Sequence, residues 1–143
     1  MKILIFSVVS TLILQLQPVL AATPDEEVRF VAAAKQAFQK HDADGLMAIT
    51  CWDRVPDQLK ESARQIYARD AKQDVTDIKL TKPDTKKPDL MWKDKDGISY
   101  RSNLAVVKQL VITFAPGGHF KDGTYPVGEK KGKLYLLEPA PVN

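Results

Sequence analysis

The chain has 143 residues, with 21 Lys and Arg against 18 Asp and Glu and a formal charge of +3. A balance so near neutral, with both signs mixed along the chain, gives no electrostatic case for nucleic acid or an anionic membrane surface as partner. Cys51 is the single cysteine, which excludes an intramolecular disulfide and leaves the core alone to hold the fold.

Met1-Lys2 precedes the apolar run Ile3 to Leu14; Gln15, Gln17 and Pro18 then end it, and Val19-Leu20-Ala21-Ala22 follows. A basic start, an apolar stretch and a small-residue site in that order predict a secretory signal peptide over 1–21. Val19 and Ala21 suit the −3 and −1 positions, and cleavage after Ala22 is nearly as good. A retained span would need about 20 apolar residues, which the glutamines and proline deny. No cysteine lies near the site for lipid attachment. Lys2 is the only charge removed, so a single domain of 22–143 would carry 20 basic and 18 acidic side chains. It is expected in the periplasm or outside the cell, with no membrane attachment after cleavage.

Thr23, Pro24 and Glu26 form a helix start with capping-box spacing. Val31, Ala34 and Phe38, widened by Phe30 and Ala37, predict one apolar face over about 25–40, with Glu26, Arg29, Lys35 and Gln39 opposite. Asp42 or Asp44 can cap a short helix through Leu46 to Ile49. Pro56 opens a third helix, whose apolar face is read as Leu59, Ala63, Ile66 and Tyr67.

From Val75 the period changes to that of strands: Ile78 and Leu80 alternate with Asp77 and Lys79. Leu90-Met91-Trp92 and Ile98 to Arg101 flank a turn at Asp94 to Gly97. Lys108 to Phe114 puts Leu110, Ile112 and Phe114 on one face. Strands near Thr124–Glu129 and Lys133–Glu138 are expected to pair across Lys130-Lys131-Gly132. Helices followed by antiparallel strands predict an α+β domain, three N-terminal helices packed on a curved antiparallel sheet.

Cys51-Trp52-Asp53 has two readings: a nucleophile served by His41 or His119, or a small buried cysteine beside a packing tryptophan. With no surrounding signature, the packing reading is preferred. Asp42-x-Asp44-Gly45 and Asp94-x-Asp96-Gly97 look like calcium loops. Aligning their glycines at position 6, however, puts Lys40 or Trp92 at position 1 and Cys51 or Asn103 at position 12. No zinc array, phosphate loop, serine elbow or dinucleotide fingerprint is present, so no metal and no cofactor are expected. Trp52, Tyr67, Trp92 and Tyr100 are the candidates to line a ligand pocket. Leu134-Tyr135-Leu136-Leu137 is apolar on both faces. Either a partner subunit across the sheet or burial in a strongly curved sheet would account for that.

Two passages, Phe38-Gln39-Lys40-His41-Asp42-Ala43-Asp44-Gly45-Leu46-Met47 and the hairpin Gly128 to Leu137, carry a resemblance in layout. The chain resembles the nuclear transport factor 2-like superfamily, which includes ketosteroid isomerase and polyketide cyclases. The resemblance implies a cone with an apolar pocket at its open end and dimerisation through the outer sheet face. It transfers no catalytic residue, because none aligns here. The expected function is non-catalytic binding of a small apolar ligand or a protein partner. The alternatives are an isomerase or cyclase with a pocket carboxylate as base, and a self-associating envelope protein.

Overall fold

The computed structural model describes residues 21–86 and 92–142. The apolar segment 1–20 and the Leu90–Met91 part of the predicted hairpin lie outside the described residues. Helix α1 spans Pro24–Gln39 and opens as predicted, with Thr23 Oγ1 accepting the Glu26 N–H at 3.2 Å. Its buried side is Phe30, Ala34, Ala37 and Phe38. Glu26, expected on the solvent face, turns inward instead: Oε1 accepts the Leu134 N–H at 2.9 Å, and the carboxylate pairs with Arg29. The reciprocal bond of a capping box is replaced by a tie between the first turn and a distant strand.

Asp42 caps α2 (Ala43–Ala48), its Oδ1 accepting the Gly45 N–H at 3.0 Å. Helix α3 (Asp57–Ala71) follows Pro56. Its buried stripe is Ala63, Tyr67, Asp70 and Ala71, so the face is rotated from the predicted one and Ile66 is exposed. Ala63, Tyr67 and Asp70 fall at i, i+4 and i+7; the inward face therefore includes an acid that a purely apolar reading passes over.

Four strands, β1 (Val75–Thr81), β4 (Lys108–Phe114), β5 (Asp122–Lys130) and β6 (Lys133–Leu136), form an antiparallel sheet in the order β1-β4-β5-β6. A second sheet holds β2 (Trp92–Lys93), β3 (Ser99–Ser102) and β7 (Pro139–Pro141) in the order β2-β3-β7. Helix α1 touches both outer strands of the larger sheet, β1 and β6. Strands at about 4.8 Å spacing would hold these some 14 Å apart in a flat sheet, so the sheet curls around the helix. Leu110, Ile112 and Phe114 face inward onto Phe38, Tyr67 and Ala71, and Phe38 meets Phe114 edge-on at 6.3 Å.

The β5–β6 hairpin turns at Lys131 and Gly132, both at positive φ (51° and 78°), the pair of conformations a tight two-residue turn requires. The outer edge of β6 is occupied by the linker after α2: Leu136 donates to the Ile49 carbonyl at 2.8 Å, and Cys51 N–H donates to Leu136 at 2.9 Å. That pairing covers one exposed sheet edge. The strand predicted to run through Glu138 stops at Leu136, and the chain crosses to the smaller sheet through Leu137 and Glu138. Leu137 is buried there by its own chain. A Cβ on Gly128 would lie 2.8 Å from Leu137 Cδ2 and 3.0 Å from the Ala105 carbonyl oxygen. On the second apolar face of Leu134–Leu137, Leu137 is thus buried within the chain, while Tyr135 is half-buried.

Candidate functional site

Where α3 meets the crossing between the two sheets, polar side chains replace apolar ones. Tyr67, buried on α3, donates to Glu138 Oε1 at 2.8 Å. Its oxygen also lies 3.1 Å from Thr50 Oγ1, and Thr50 donates to the Leu46 carbonyl at 2.8 Å. Beside this chain, Tyr125 on β5 donates to Asp70 Oδ2, while Arg69 reaches Asp70 Oδ1 at 2.8 Å. The rings of Tyr67 and Tyr125 are 6.0 Å apart, so the two tyrosine–carboxylate pairs sit side by side.

The pairs differ in how completely they are satisfied. Asp70 has a donor on each oxygen, one of them a guanidinium. Glu138 is half-buried, and among the described residues Tyr67 is the only side chain that donates to it; its Oε2 has no protein donor. Burial pushes the Glu138 carboxyl above its ordinary value, against the smaller lowering effect of the Tyr67 hydroxyl. Burial, then the adjacent Glu138 charge, holds Tyr67 well above the usual phenol range. Tyr125 is raised by burial and by its bond to Asp70. Both phenols therefore stay protonated and act as donors at neutral pH.

Counting protons sharpens the contrast. With Glu138 ionised, the Tyr67 proton goes to Glu138 and the Thr50 proton to Leu46, which leaves the 3.1 Å Thr50–Tyr67 contact without one. With Glu138 protonated, the chain runs one way, from Glu138 to Tyr67 to Thr50 to the Leu46 carbonyl, and every contact is a hydrogen bond. Glu138 can thus take up a proton with its neighbouring hydroxyls reorienting to match, in a chain that ends on the Leu46 carbonyl.

Asn103, also buried, braces the crossing. Its Nδ2 donates to the Cys51 carbonyl at 2.7 Å and the Asp53 carbonyl at 3.2 Å, and its Oδ1 accepts the Glu138 N–H at 3.3 Å. Ser102, whose β7 partner Pro139 directly follows Glu138, has a buried hydroxyl with no hydrogen-bond partner among the described residues.

The four aromatic candidates are not brought to one place. Tyr67 belongs to the main core and the array just described. Trp52 is half-buried against that core, its Nε1 donating to the Met47 carbonyl at 3.0 Å. Trp92 and Tyr100 stack on the β2–β3 hairpin, with ring centroids 4.4 Å apart and 9° between planes. Surface hollows among the described residues include one of about 520 Å³ at His41 and β1, one of about 710 Å³ at the α3 end and the Gly117–Gly118 turn, and one of about 430 Å³ holding Thr50, Trp52, Lys130 and Tyr135. Of the four aromatics, only Trp52 lines any of them.

Cys51 is buried, and its carbonyl is held by Asn103. His41 and His119 line different hollows, and neither is bonded to the cysteine. Asp94 Oδ1 accepts the N–H groups of Asp96 and Ile98 at 2.9 Å each, a turn-closing role. Among the described residues no group of His, Cys, Asp and Glu could hold a metal ion, and no helix is long and apolar enough to cross a membrane.

Sequence reasoning singled out Tyr67 but missed Glu138, Asp70, Tyr125, Thr50 and Asn103. One signal was available: Asp70 continues the Ala63–Tyr67 stripe of α3. Glu138 gave none, since its place follows from the strand ending two residues early. No protein-family profile, curated protein or solved structure matches the chain.

Proposed function

We propose that the chain is an exported binding domain for a small, largely apolar molecule that carries a hydrogen-bond donor, received at Glu138. The observation that carries this reading is a half-buried carboxylate with one tyrosine donor and an Oε2 that has no protein donor among the described residues. Oε2 is not one of the buried unpartnered atoms, so it is reachable from outside, and a ligand hydroxyl or ammonium can take the place of solvent on it. The charge on Glu138 favours a neutral donor or a cation over an anion, and the Arg69 guanidinium is already paired with Asp70. The curled sheet with helices over it fits the cone-like, nuclear transport factor 2-like layout, whose open end would admit such a molecule. The export part of the proposal rests on the N-terminal segment.

The test is calorimetric titration of residues 22–143 with n-octanol, octylamine and a methyl alkyl ether of equal length. The donor-bearing pair should bind and the ether should not. Glu138→Gln should weaken octylamine by tenfold or more, about 1.4 kcal/mol. Equal binding of all three, or no loss in the variant, would refute the reading.

A second reading, an isomerase- or cyclase-type enzyme, is favoured by the half-buried Glu138 carboxyl with the Tyr67 hydroxyl on its Oε1. A carboxyl raised by burial beside a phenol is a suitable general base. Deuterium exchange into the α-carbon of small cyclic ketones, faster with this chain than with its Glu138→Gln variant, would establish it.

A further inference from the structure

We propose that the processed chain begins at Ala22, and that Glu129 is the docking carboxylate for its new α-ammonium. The inference rests on the export reading above and selects between two cleavage positions that the sequence leaves nearly equal. The Ala22 N–H donates to Glu129 Oε2 at 2.8 Å, across 107 residues of chain. Ala22 is half-buried and packs against the main core, whereas Ala21 is exposed. The fold thus takes hold of the chain at Ala22.

Glu129 lies on β5 opposite Leu134, on the inward face that also carries Val127. Among the described residues the Ala22 nitrogen is its only side-chain partner. The other acids near this end are committed elsewhere or exposed. Glu26 holds Arg29 and the Leu134 N–H, Glu27 pairs with Lys108 at 3.0 Å, and Asp25 is exposed in the first turn. Hydrolysis of the Ala21–Ala22 bond adds one water. The carboxylate leaves on Ala21, and the amine of Ala22 takes up a proton at neutral pH. An amide hydrogen bond thereby becomes a charge-assisted one with the partner already in place. This matters at a helix start, where the positive end of the α1 dipole disfavours a cation unless a carboxylate offsets it. Cleavage after Ala22 would remove the residue that packs, place the charge on the capping Thr23, and leave Glu129 without its donor.

Two measurements test this separately. Intact mass of the exported protein should give a chain starting at Ala22; a start at Thr23 would overturn the proposal. An uncut chain would overturn the processing claim, and failure of the chain to leave the cytoplasm would overturn the export reading on which it rests. Independently, chains of 22–143 and 23–143, each with and without Glu129→Gln, are melted in low salt. The chain from Ala22 should have the higher Tm, by about 1–4 °C for a pair of this exposure. Glu129→Gln should remove most of that difference, and Nα-acetylation of Ala22 should remove part of it. If Glu129→Gln lowers Tm equally in both chains, Glu129 does not dock the terminus, whatever the mass shows.

Discussion

Replacing Tyr67 with Phe deletes one hydroxyl from the centre of the polar array and leaves the ring packing on Tyr125 and the core in place. The consequence depends on pH, because the hydroxyl's main partner is a carboxyl raised by burial. A folded-state value above the unfolded one means that the protonated form of Glu138 stabilises the fold. That contribution is fully present below the ordinary carboxylate range and is lost as pH rises through the raised value. At pH 8, Tyr67→Phe strips an ionised, half-buried carboxylate of the only side-chain donor it has among the described residues. A bond to a charged acceptor is worth about 1.5–3 kcal/mol. At pH 4.5, where Glu138 takes up its proton more readily, the lost bonds become neutral ones, worth about 0.5–1.5 kcal/mol each. Two neutral bonds lost at pH 4.5 nearly match in sum the one charged bond lost at pH 8, so the pH dependence rests on the Tyr67 hydroxyl favouring the ionised carboxyl. The destabilisation is expected to be larger at pH 8 by about 0.5 kcal/mol. Urea unfolding of residues 22–143 at the two pH values measures it. A Glu138→Gln background should flatten the difference, and Glu138→Gln alone should be neutral or up to about 1 kcal/mol stabilising at pH 8, since it removes a charge that burial penalises. A Tyr67→Phe effect equal at both pH values to within roughly 0.3 kcal/mol would refute the reasoning.

Four further outcomes follow from the same geometry. Asp70→Asn should destabilise by about 1–3 kcal/mol in chemical denaturation, since Tyr125 and the Arg69 guanidinium both lose a charged acceptor. Asn103→Ala frees two carbonyls and the Glu138 N–H, and should cost about 2–3 kcal/mol while loosening the crossing in amide exchange. Gly128→Ala drives a methyl into Leu137 and the Ala105 carbonyl; it should lower stability by about 1–3 kcal/mol, with partial recovery in a Leu137→Val background. Cys51 should resist a thiol reagent in the folded chain and react at the unmasked rate in urea, because it is buried; fast labelling of the native chain would revive the nucleophile reading.

The helices and the long strands were legible because their signals are local. Thr23 and Asp42 cap where expected, and the alternation of Leu110, Ile112 and Phe114 matches their burial. The array was not legible, for reasons that are equally specific. Glu138 enters it because β6 ends at Leu136, the point where its edge has been bonded to Ile49 and Cys51, and no residue near 136 announces that long-range pairing. Glu26 looked like a surface acid because its partner, the Leu134 N–H, is 108 residues away. Tyr125 follows a plain alternation, and only the curl of the sheet brings it beside α3. Sequence periodicity reports which face a residue occupies. It does not report what that face meets.

The two tyrosine–carboxylate pairs separate structure from function on energetic grounds. Asp70 is bonded on both oxygens, partly by a cation, and its pair stabilises the fold in which it sits. Glu138 is half-buried with a single donor and burial acting against its charge. Folding alone would be served as well by a glutamine there, which accepts from Tyr67 without the desolvation penalty. A residue that works against stability where a neutral near-isostere would fit points to a task outside folding. Its half-exposed position and an Oε2 that has no protein donor among the described residues suit a group that meets another molecule. That asymmetry is the reason the proposed ligand site is placed at the crossing between the sheets, and not at the stacked Trp92–Tyr100 pair.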